Sequence, residues 1–164
     1  MKNVILGLLA MVCSQLLFAQ DSLQQVSPLK FISSQNYQYY KNGGNADLYL
    51  IAEVNNYPSP GSVLQLAKEL SLTTDQKHQV NMIHIELNRK VKEMGGFLIK
   101  EQTKLNQLFE TRKIDEGSLI YYTNKIGALE GELRNAYLRA HLRTSTLLSA
   151  QQLKKYQDIN NKGK

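Results

Sequence analysis

Three histidines are the residues in this chain best suited to hold a metal ion: His78, His84 and His141. A transition-metal site needs three or four N, O or S ligands, and a pair on one helix needs i,i+3 or i,i+4 spacing. His78 and His84 fall on different faces of a helix. His84 could meet His141 across a helical hairpin, and His78 has Met82 four residues on, where a thioether serves equally as ligand or core filler. These four are the candidate ligands of a divalent transition metal. The competing reading makes the histidines structural and needs no cofactor.

An enzyme would show a nucleophile beside a base, carboxylates paired on facing elements, or a glycine-rich phosphate loop. Here the carboxylates are scattered and the paired glycines fall inside helical patterns, so no catalytic residue is assigned and no enzyme is expected. The one cysteine, Cys13, lies in an apolar N-terminal run, which excludes a disulfide framework.

That run reads as an export signal over residues 1–20, with Lys2 ahead of Val4–Val12 and a small-residue cleavage site near Ala19. Cys13-Ser14-Gln15 interrupts it well short of the roughly 20 apolar residues that span a bilayer. Val12 stands before Cys13 where a lipid-modified cysteine wants a small neighbour, so the mature chain is expected to be soluble, periplasmic and thiol-free. The formal charge of +6 then suggests acidic polypeptides, lipid head groups or solubility, and not nucleic acid.

The elements that must position these residues are helices. In "LTTDQ" and "LSAQQ", Thr73 with Gln76 and Ser149 with Gln152 each make an S/T-x-x-E/Q capping box, so each motif starts a helix. Leu72 and Leu148 precede the caps. Val80, Ile83, Leu87, Val91, Met94 and Leu98 form the stripe of a long helix running from the Thr73 cap to about Glu110. Gly95-Gly96 in its middle costs roughly 1 kcal/mol per glycine and predicts a bend or a close contact. Asp115 caps a second long helix carrying Tyr122, Ile126, Leu129, Leu133 and Ala140. The two make an antiparallel hairpin, with short helices around Val63–Leu70 and after Ser149. Pairing about the turn sets Met94 against Gly131, Leu98 against Gly127 and His84 against His141, so Gly127 and Gly131 would admit the first long helix. Residues 21–56 are rich in Gln, Asn, Ser and Tyr and predict a mostly disordered segment, dispensable for folding. Within it Asp47–Val54 could be a strand or a docking segment. The helical domain is placed at 57–160.

The two motifs resemble the paired LTxxQ motifs of the Spy/CpxP superfamily of exported bacterial proteins, small periplasmic chaperones and related heavy-metal sensors. The resemblance covers about Tyr57 to Tyr156 and includes "LAKELSLTTDQ", "LFETRKID" and "ELRNAYLRAHLRTSTLLSAQQLKKY". Ser149 and Ala150 depart from the second threonine and the proline often found after it, but a serine still caps. The helical His-x-x-x-His pairs of the sensors are missing: four after His141 stands Ser145. The resemblance implies an all-α, bent Spy/CpxP-like hairpin acting in the envelope stress response. It would bind unfolded envelope proteins without ATP on a basic amphipathic surface, for which Arg89, Lys92, Arg139 and Arg143 are the candidates, and would benefit from homodimerisation. The alternative is a heavy-metal sensor or a regulator of a membrane-bound partner.

Overall fold

In the computed structural model, residues 26–162 are described; the predicted signal segment, its cleavage site and Cys13 lie outside them. The described residues form an all-helical structure with no strand: α1 (Ser34–Asn42), a 3-10 turn (Ala46–Leu48), α2 (Leu50–Val54), α3 (Pro60–Gln65), α4 (Thr74–Glu110), α5 (Glu116–Leu147) and α6 (Ala150–Lys162). No helix among them is long and apolar enough to cross a membrane.

The α4–α5 hairpin is the frame, and α4 runs unbroken through Gly95-Gly96. Arg112, at φ 53°, closes α4: Lys113 N–H reaches Leu108 O and Arg112 N–H reaches Phe109 O, a Schellman ending. Asp115 then accepts from Ser118 N–H at 2.6 Å to start α5. Asn56 at φ 63° ends α2 in the same way, and Ser71 at φ 52° closes with the same bonds the turns that follow α3. All three left-handed positions lack the glycine that usually marks such an ending.

Two apolar clusters hold the frame. One, at the open end, gathers Val63, Leu70, Leu72, Val80, Leu148 and Tyr156; the other, at mid-hairpin, gathers Val91, Met94, Leu98, Leu133 and Tyr137. Toward the turn an ion-pair cluster takes over. Glu101, whose side chain is 5% exposed, lies 3.3 Å from Lys125 of α5 and 3.4 Å from Lys104. Burial pushes its carboxyl up, but bonding to the two lysines outweighs this and leaves it below the ordinary value. A carboxylate depressed on folding stabilises at neutral pH and loses that contribution as pH falls through its folded value. Urea midpoints should therefore fall on acidification through the carboxylate range. Glu101→Gln should cost about 1 kcal/mol at pH 7 and shrink the acid loss; an unaltered pH profile would refute the assignment.

The segment expected to be disordered is largely helical from Ser34 to Val54 and packs against the hairpin. Tyr40, Leu48 and Tyr49 cover the mid-hairpin cluster, and Ile32 and Ala52 are buried. Composition misled because α1 buries no residue fully; it is held by the part-exposed Tyr40 ring and by its backbone. A Cβ on Gly95 would lie 1.7 Å from Tyr40 O, so α1 rests directly on the α4 backbone. Gly43 and Gly44, at φ 79° and 91°, turn the chain back, and Asp47–Val54 docks as the 3-10 turn and α2 rather than as a strand. Deleting residues 21–56 would therefore uncover the mid-hairpin cluster on which Tyr40, Leu48 and Tyr49 pack.

The expected glycine pairing is also corrected. A Cβ at Gly127 or Gly131 would meet nothing within 4 Å, so neither admits α4. The close approach at Gly95 belongs to α1, a third partner that pairing two helices about a turn could not reveal.

Candidate functional site

Both motifs form complete capping boxes. Gln76 N–H donates to Thr73 Oγ1 at 3.1 Å and Thr73 N–H to Gln76 Oε1 at 3.1 Å; in the second motif the distances are 3.2 Å from Gln152 N–H to Ser149 Oγ and 2.9 Å from Ser149 N–H to Gln152 Oε1. The boxes are also joined. Each glutamine donates from Nε2 to the other's Oε1 at 2.9 Å, Gln76 adds a bond to Leu147 O at 2.9 Å, and Gln152 one to Leu70 O at 3.3 Å. The backbone partners fix which amide atom is oxygen and which nitrogen. Leu72 and Leu148 sit buried beneath this clasp. The motif residues therefore lock two helix junctions together, a role that spacing within each motif does not disclose.

The histidines go to separate places. His78 is exposed and shares a groove with Met82 and Arg143, a cation that would repel a metal. His84 Nε2 lies 3.1 Å from Asn88 Nδ2, and its Nδ1 is buried with no partner among the described residues. His141 is 1% exposed, with Nδ1 2.8 Å from Tyr57 O and its ring stacked on Tyr49 at 5.4 Å. Because a carbonyl only accepts, that Nδ1 carries the proton. No hydrogen bond or ring contact joins His84 to His141, and among the described residues no three His, Cys, Asp or Glu side chains are grouped to hold a metal. The pairing of Glu101 with Lys125 across the hairpin fits the expected register, but the two histidines turn to different partners, His84 to Asn88 and His141 to the Tyr57 carbonyl.

Of the four basic candidates, Arg139 and Arg143 share a groove between α4 and α5, floored by Ile83, Leu87, Met94 and Ala136 and edged by Lys90, Glu86 and Glu132. Arg143 donates to Glu86 and holds its carboxyl below the usual range. Arg89 is paired with Glu93 at 2.9 Å, and neither it nor the exposed Lys92 lines the groove. Elsewhere on α4 and α5, Met82, Ile85 and Leu142 are about half exposed.

Sequence reasoning missed a second surface, on α5. Arg134 Nη1 donates to Asp47 O at 3.3 Å and the Tyr137 hydroxyl accepts from Gly44 N–H at 3.1 Å. Burial pushes the Tyr137 phenol up, and the Gly44 bond opposes it. With His141 these residues follow one face of α5, but the only signal for the segment they bind was its run of tyrosines.

No protein-family model, curated protein or solved structure matches the chain.

Proposed function

We propose that this chain is an exported, Spy/CpxP-like protein that binds unfolded polypeptides without nucleotide. The observation that carries the reading is the α4–α5 groove, with its apolar floor and with Arg139, Arg143 and Lys90 outnumbering Glu86 and Glu132 on its edge. Such a surface attracts an unfolded chain electrostatically and holds its apolar side chains weakly, and folding of the client itself releases it. The joined capping boxes support the family resemblance, because they give the two LTxxQ-like motifs one shared purpose.

The test is suppression of aggregation of a chemically denatured substrate by the purified mature protein in the absence of nucleotide. Arg139→Glu with Arg143→Glu should weaken capture roughly tenfold, and salt should weaken wild-type capture, since exposed charges are screened over about 10 Å at 0.1 M. Capture insensitive to both would remove the groove from the mechanism. Protection absent under all conditions, with one membrane protein retained at fixed stoichiometry, would favour the regulatory alternative.

A further inference from the structure

We infer that the α5 face formed by Arg134, Tyr137 and His141 is a polypeptide-binding surface that reads main chain, and that residues 40–57 occupy it as a built-in, displaceable ligand. This deepens the proposed function and rests on it, because it gives an unfolded client a second binding surface beside the α4–α5 groove and says what must be displaced from it.

The character of the contacts carries the argument. Each of the three side chains bonds a backbone group: Arg134 the carbonyl of Asp47, Tyr137 the N–H of Gly44, His141 the carbonyl of Tyr57. Gly95, opposite, takes the Tyr40 carbonyl against bare backbone. None of these four contacts depends on which side chain the bound segment carries. The side-chain component is aromatic: the Tyr49 ring lies 5.1 Å from that of Tyr137 and 5.4 Å from that of His141. A surface built this way fits an unfolded segment with an aromatic residue, whose main-chain groups are free. Few buried side chains hold the cover in place: α1 contributes none, its Tyr40 packing part-exposed on the mid-hairpin cluster, and α2 contributes Ala52. A client would compete with the covering segment, so its apparent affinity is the intrinsic affinity scaled by the fraction of molecules in which the face is open.

The experiment uses the full mature chain and a fluorescently labelled, reduced and carboxymethylated polypeptide as a permanently unfolded probe. Tyr49→Ser alters the covering segment and leaves the face intact; Gly95→Ala pushes α1 away from the hairpin side and serves if the first variant is poorly folded. Amide exchange of residues 34–54 reports opening. Both variants should exchange faster there, and a tenfold rise in the open fraction should tighten probe binding about tenfold. Adding Arg134→Ala to Tyr49→Ser should take much of that gain away. Faster exchange with unchanged probe affinity would overturn the inference while wild-type binding leaves the proposed function standing. Unchanged exchange in both variants would also overturn it. No probe binding by wild type or either variant would defeat both.

Discussion

Gly95→Ala is expected to destabilise the protein by about 2 kcal/mol while Gly96→Ala stabilises it by about 1 kcal/mol. The substitutions are chemically identical and adjacent on one helix, so propensity gives both the same gain. Surroundings reverse the sign at Gly95. A new Cβ there would stand 1.7 Å from Tyr40 O and 2.6 Å from Tyr40 C. These are backbone atoms, which cannot rotate aside, so α1 must lift from α4, and overpacking of this kind costs about 1–3 kcal/mol. The loss is bounded because α1 can detach instead of distorting the hairpin. At Gly96 a Cβ would meet nothing within 4 Å. Urea midpoints of the two variants decide the matter, and a Gly95→Ala protein as stable as Gly96→Ala would mean that α1 is not docked as described.

The same glycine pair shows how far the sequence could be read. Apolar spacing along Val80–Leu98, the Thr73, Asp115 and Ser149 caps, and the short turn made the hairpin legible, because helix periodicity and capping are local properties. Gly95-Gly96 correctly announced a close contact, but the partner was wrong. Residues 34–54 dock through main-chain groups and tyrosine rings, and main-chain docking leaves no apolar stripe to detect. Arg112 and Asn56 likewise end helices, and Ser71 the turns after α3, without the glycine that would have flagged a left-handed residue. Of the four basic residues singled out by charge, Arg139 and Arg143 line the groove and Arg89 and Lys92 do not. Arg134 and Tyr137 were missed because what they bind was read as disordered. The clasp was half legible: two capping boxes could be read from spacing, but their union is a contact between residues 76 and 152, which no local rule supplies.

That union makes Gln76→Glu a sharper probe than loss of a cap. If Gln76 acted only within its capping box, glutamate would be an accepted replacement, and its charge would interact favourably with the α4 N-terminus. In the clasp both amide hydrogens are committed, one to Leu147 O and one to Gln152 Oε1. A carboxylate would turn oxygen toward two acceptors and strand the Leu147 carbonyl, which is expected to cost about 3 kcal/mol at pH 7. That exceeds the roughly 1 kcal/mol expected for Thr73→Ala, which removes a cap and leaves the amide pair in place. Gln152→Glu should behave alike, since it loses its bonds to Leu70 O and Gln76 Oε1. The pH dependence has a definite sign. Facing acceptors, the introduced carboxyl is easier to protonate in the folded protein than in the unfolded chain, so the variant's deficit relative to wild type should narrow as pH falls through the carboxylate range. Urea midpoints at pH 7 and pH 4 measure both effects. A Gln76→Glu protein as stable as wild type at pH 7 would reduce the two motifs to independent helix starts and remove the clasp as the lock between the α3–α4 and α5–α6 junctions.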